Sequence, residues 1–193
     1  MTPPRIRRRR AADLDRCVAA LVEVHRIDRY PLNWPADPHR WLREPRPADA
    51  WVAVDDDAAI VGHVAVHRVP SRAGAPPARP TAEVARLFVV PSARGLALGG
   101  ALLDRVRQWA SARGTDLRLE VTSDGAAATA LYERTGWRCT GTSTAAWTAP
   151  DGSAVSLRHY TLSGDAVPAI AASRRASRAA ASRNSGGSNT STS

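Results

Sequence analysis

Residues 82–110, "AEVARLFVVPSARGLALGGALLDRVRQWA", constrain the fold more than any other stretch of the chain. An apolar run stops at Pro91, a Gly/Ala-rich turn follows, and Leu98, Leu102, Val106 and Trp109 then recur at helical spacing. Asp104, Arg105, Arg107 and Gln108 fall off that stripe and are expected to face water. A strand that ends in small residues and passes into a fresh helix points bare backbone N–H groups at one spot. Those amides would suit an anion; the same residues also read as a close-packing turn between strand and helix. Because "DLRLEV" (116–121) is the next strand, the unit is a parallel crossover, which places the chain in the α/β class.

The flanks supply antiparallel pieces. "RIRRR" (5–9) is a short first strand. Asp13 can cap a helix running to about Arg26, with Leu14, Val18, Leu21, Val22 and His25 on one face. Residues 29–50 hold five prolines and read as irregular, with a helical turn at "DPHRWL". Residues 50–54 and 59–69 form a hairpin across "DDDA", and 70–80 is a loop. A helix over 126–135 stops at Gly136, and "RCTGTSTAAWT" and "AVSLRHYTL" close the domain as a hairpin around "APDG". From Ser163 the chain is Ala, Ser, Arg, Asn and Gly, with little to bury. The expected division is a folded domain over 1–162 and a disordered tail over 163–193.

Charge narrows the function classes. The formal net charge is +9, but five Arg lie in residues 1–10 and the tail adds a net +3, so the body is nearly neutral. Nucleic acid is therefore not the expected partner. Lys is absent, and the Arg, Ala and Pro excess reads as coding bias rather than function. Cys17 and Cys139 have no metal-ligand spacing, and His63 and His67, four apart on a strand, stand too far apart for one ion. No metal is expected. No apolar run reaches the length of a membrane span, so a cytoplasmic protein without membrane contact is expected. A homodimer is compatible with the sequence.

The turn "RGLALGG" (94–100) has no Gly-Lys-Ser/Thr and is not a GxGxxG. Beginning at Glu83, "EVARLFVVPSARGLALGGALL" resembles the central motif of the GNAT N-acetyltransferase superfamily, a strand ending in an R/Q-x-x-G-x-G/A loop. Farther on, "LEVTSDGAAATALYERTGW" resembles that family's next motif, and the pair in this order is far more specific than either half. The resemblance spans roughly residues 5–162. It implies a mostly antiparallel twisted sheet with one splayed parallel strand pair and helices on both faces.

The resemblance also implies acetyl-CoA as cosubstrate and direct transfer to a primary amine. A small-molecule acceptor is preferred over a protein or peptide amine, because Trp, Tyr and Pro suggest a closed pocket. An acyl-CoA-binding protein of the same fold with weak or no catalysis is the alternative. By the same resemblance, main-chain groups near Leu87 and Val89 would hold the pantetheine arm. The diphosphate would sit on Arg94, Gly95, Leu96, Ala97, Leu98, Gly99 and Gly100. Tyr132 would be the general acid and Glu83 would accept the amine proton. Tyr30, Trp34 and Trp147 would wall the acceptor, with Asp28 or Asp37 supplying charge. Two positions depart from the pattern: Ala97 stands where the loop usually has Gly, and Gly125 where the family often has Asn.

Overall fold

The computed structural model describes residues 3–70 and 79–165. Among them seven strands make one sheet: β1 (Arg5–Arg8), β2 (Asp49–Val54), β3 (Ile60–Arg68), β4 (Thr81–Val89), β5 (Asp116–Thr122), β6 (Arg138–Thr148) and β7 (Ala154–Leu162). Their spatial order is β1-β2-β3-β4-β5-β7-β6. Every neighbouring pair is antiparallel except β4 and β5. Helix α3 (Leu98–Ser111) is the crossover between those two. The other helices are α1 (Leu14–Asp28), α2 (Pro38–Arg43) and α4 (Ala126–Arg134).

The sheet separates two cores. On one face Leu102, Leu103, Val106 and Trp109 of α3 and Tyr132 of α4 pack on Val64, Val84, Leu117, Leu119 and Tyr160. On the other, Cys17, Ala20, Leu21 and Val24 of α1 and Leu42 of α2 pack on Val52, Ile60 and Phe88. Helices thus cover both faces, as the sequence implies. Two side-chain expectations are corrected. The buried face of α1 is rotated from the predicted stripe, leaving Val22 exposed, because the small residues Cys17 and Ala20 allow the closer approach to the sheet. Arg107 does not face water: it is buried on the side of α3 that meets the α4–β6 turn, near Gly136.

Local chemistry fixes the element ends. Asp13 is buried and accepts from Arg7 Nη1 (2.6 Å), Arg7 Nη2 (2.8 Å), the Arg10 amide (2.7 Å) and Arg16 Nη2 (3.2 Å), so one carboxylate ties β1 to the start of α1. Asp37 caps α2 by accepting from the Arg40 amide at 2.9 Å, ahead of Pro38 in the first turn. Ser163–Asp165, the first residues of the predicted tail, follow β7 in contact with the start of β5. The Gly164 amide donates to Asp116 Oδ1 at 2.9 Å, and Asp165 pairs with Arg79. Residues 166–193 of that tail, and 71–78 of the predicted 70–80 loop, lie outside the described residues.

Candidate active site

The parallel ladder between β4 and β5 is short. It pairs Thr81 with Asp116, Ala82 with Leu117 and Glu83 with Arg118, and then stops although both strands continue. A bulge accompanies the separation. Arg86 has a left-handed φ of 54°, and Arg86 and Leu87 fall together between the β3 pairings His63–Phe88 and Ala65–Ala85. His63 pins the bulge by donating Nδ1–H to the Arg86 carbonyl at 2.8 Å. The result is a wedge with its apex at Glu83. Along a strand successive amides face opposite edges. The Val90 amide bonds the Val61 carbonyl at 3.0 Å, which leaves that of Val89 facing the wedge.

At the open end stands the turn before α3. Gly95 has φ 80°, and Ala97, the N-cap, has φ 55° with no side chain able to cap the helix. The first helical bond runs from the Ala101 amide to the Ala97 carbonyl at 3.1 Å. Among the turn, loop and cap bonds of the described residues none uses the amides of Gly95 to Gly100. The two helix glycines differ. A Cβ on Gly99 would come within 2.9 Å of Leu131, so this glycine seats α4 against α3, whereas Gly100 has open space above it. Arg94 is engaged by Asp28 at the end of α1. That pairing occupies one of the two carboxylates expected near an acceptor amine; the other, Asp37, is the cap of α2.

Tyr132 projects from α4 into the core beside Trp137 and Tyr160, at ring separations of 6.0 and 5.6 Å. Burial pushes its phenol well up from the ordinary value, with smaller contributions from Tyr30 and Tyr160. Tyr30 comes from the opposite face, edge-on to Trp41 at 6.2 Å, and burial pushes its phenol up to about 12. The Arg86 guanidinium lies 4.9 Å from the Trp41 ring centre and donates to His67 Nε2 at 2.6 Å. His63 and His67 are thus hydrogen-bonded elements of the wall. Burial pushes His63 down to about 3 and His67 in the same direction, so both are neutral at physiological pH. Among the described residues no group of His, Cys, Asp or Glu is arranged to hold a metal.

Glu83 is at the apex on the face of α1 and α2, where its Oε2 accepts from Arg118 Nε (3.1 Å) and Nη2 (2.8 Å). Two residues beyond Arg118, and so on the same face, stands Glu120. Its Oε1 is 3.4 Å from His159 Nδ1, and His159 Nε2 is 2.7 Å from Ser143 Oγ. Glu120 escaped the sequence reading, although the alternation Arg118, Glu120, Thr122 along β5 carried the signal; Ser143 joins only through strand pairing. The acceptor aromatics are distributed unevenly. Trp34 lies tilted against the His25 ring at 4.8 Å, and its loop reaches the β6–β7 hairpin through Asn33 Nδ2 donating to the Thr148 carbonyl at 2.8 Å. Trp34 and Trp147 are 39% and 42% exposed, so they rim an open cleft rather than line a closed one.

A profile of the acetyltransferase (GNAT) family matches residues 17–137. No curated protein matches the chain by sequence. Solved structures do match it. Arabidopsis thaliana NAA60 in complex with acetyl-CoA has a TM-score of 0.64 at 18% identity, over 82% of this chain and 97% of that one. The ribosomal-protein-alanine N-acetyltransferase of Brucella melitensis has a TM-score of 0.65 at 21% identity, over 82% and 99%. The Escherichia coli enzyme that acetylates a ribosomal-protein alanine has a TM-score of 0.65 at 19% identity, over 86% and 96%.

Proposed function

Because the chain belongs to the acetyltransferase (GNAT) family, we propose that it moves an acetyl group from acetyl-CoA to a primary amine by direct transfer in a ternary complex. The observation that carries this reading is the termination of the β4–β5 ladder at Glu83 and Arg118 while both strands run on. A thioester arm fits such an opening as a partial added strand, bonded to main-chain groups of Leu87 and Val89. The diphosphate takes the amides from Gly95 to Gly100, which no turn or cap bond uses, and the open space above Gly100 leaves it room. Arg94 meets the diphosphate only by sharing its charge with Asp28.

In the reaction the neutral amine attacks the thioester carbonyl, whose developing negative oxygen is met by the Val89 amide. The C–S bond then breaks, and Tyr132 gives its proton to the departing sulfur. A phenol held above its ordinary pKa stays protonated throughout the physiological range, as an acid in this role requires. The amine proton goes to a carboxylate on the acceptor face. Glu83 stands at the apex and takes it directly or through water; Glu120, farther into the opening and less tightly held, is the second candidate. Glu83→Gln and Glu120→Gln separate the two. The variant that lacks the base loses turnover about a hundredfold or more while acetyl-CoA affinity is kept.

Tyr30, Trp34 and Trp147 orient the acceptor. A small-molecule amine is the first reading. The exposure of Trp34 and Trp147 favours a second, the amine of a peptide or protein chain, which an open cleft admits. The folds shared with NAA60 and the ribosomal-protein-alanine enzymes support it. The experiment is calorimetry with acetyl-CoA, followed by thiol release measured with small amines and with short peptides of varied first residue. Binding followed by turnover on one panel identifies the acceptor class. Binding without turnover on either supports a coenzyme-binding protein, and no binding removes the proposal.

A further inference from the structure

A cleft of about 310 Å³ opens between the end of β1, the start of α1 and the segment that follows α2. Arg9, Arg10, Arg43 and Arg46 line it, together with Leu14 and Pro47, and no acidic residue does. Four neighbouring arginines of these elements are matched. Arg7 and Arg16 bond Asp13, Arg8 pairs with Asp49 at 2.8 Å, and Arg40 with Glu44 at 2.6 Å. Among the described residues none of the four cleft arginines forms an ion pair. Arg9 is half-buried, and its Nη1 donates only to neutral acceptors, the Leu42 carbonyl at 2.9 Å and His63 Nε2 at 3.0 Å. Burial holds its pKa below the ordinary value against a smaller opposing pull from the Asp13 charge, and no carboxylate bonds it directly.

Four like charges around one hollow repel each other, and an anion inside it reverses the sign of every such term. Each planar guanidinium presents paired donors that fit phosphoryl oxygens. A single carboxylate offers two oxygens to four forks, whereas a diphosphate offers several. We propose that this cleft binds a small multivalent phosphate anion, a free di- or triphosphate group. It is separate from the coenzyme seat. The cleft is at the start of α1, whereas the turn before α3 meets the far end of that helix through Arg94 and Asp28. Fifteen residues of α-helix span about 22 Å.

The test is calorimetry on the full chain with acetyl-CoA at saturation, so that the amides before α3 are already occupied. Inorganic pyrophosphate is expected to bind at one site, and more weakly as salt is raised. Arg43→Ala combined with Arg46→Ala should weaken it about tenfold or more. Both side chains are exposed, so circular dichroism and acetyl-CoA affinity should stay unchanged in that variant. No heat with millimolar pyrophosphate, or binding that survives the double substitution, overturns the site. A nucleoside triphosphate and a short single-stranded oligonucleotide are titrated alongside. Tighter binding of the triphosphate supports a free phosphate ligand, and tighter binding of the oligonucleotide overturns that assignment in favour of a nucleic-acid backbone.

Discussion

Single residues carry opposing demands in this fold. Ala97 holds a left-handed backbone to turn the chain into α3, a conformation that costs an L-residue about 1–2 kcal/mol and glycine far less. Glycine also loses more freedom on folding, so Ala97→Gly is expected to raise stability by only about 0.5–1 kcal/mol, with acetyl-CoA binding kept or strengthened. Denaturant unfolding and calorimetry check both parts. Gly125, the other departure from the family's pattern, has a packing reason. A Cβ there would stand 3.2 Å from the Thr122 carbonyl oxygen and 3.2 Å from Val121 Cγ2, so a larger residue requires those neighbours to give way. Tyr132→Phe retains the ring packing against Trp137 and Tyr160 and removes only the hydroxyl. Turnover should fall at least about tenfold, with acetyl-CoA affinity within about twofold of the parent. Unchanged turnover would leave Tyr132 as a core residue and nothing more.

At the scale of elements, the wedge depends on how β4 is held. His63 reaches from β3 to the Arg86 carbonyl, and Arg86 reaches back to His67 and on to the Glu44 carbonyl. The bulge is therefore braced on both sides, which suits a site whose opening must persist without ligand. Asp13 performs a comparable service for β1 and α1. Hydrogen bonds from Arg7 outweigh burial and hold its carboxyl down to about 2, against an ordinary 3.8. Because the folded value is depressed, this stabilisation is complete above the unfolded value and is lost as pH falls from about 4 toward 2. Asp13→Asn should cost about 2–3 kcal/mol at neutral pH and flatten that acid limb. Unfolding curves at neutral pH and across the acid range test it, and a loss below about 0.5 kcal/mol would show that the clamp is not stabilising.

Across the whole molecule, the two buried histidines couple stability to mildly acidic pH. Burial keeps His63 and His67 neutral in the folded chain, while the unfolded chain takes up protons near the ordinary 6.5. The unfolded state then binds more protons, so stability is greatest above about 6.5 and declines as pH falls toward about 3. Denaturant midpoints at successive pH values should drop through this window, and His63→Gln should reduce the slope. The sequence by itself determined the order of elements, the crossover at 82–121, the glycine-bearing turn and the family motifs, because periodicity, turn chemistry and capping act over a few neighbouring residues. It also marked Tyr132, Glu83 and the turn amides as the residues to inspect. Only the tertiary structure decided where the β4–β5 ladder ends, that Arg107 is buried, that Arg94 and Asp28 pair with each other, and that Glu120, His159 and Ser143 share one face. Those facts depend on strand register, a bulge and the rotation of helices about their axes. They are set by packing between segments far apart in the chain, and no local pattern of residues encodes them.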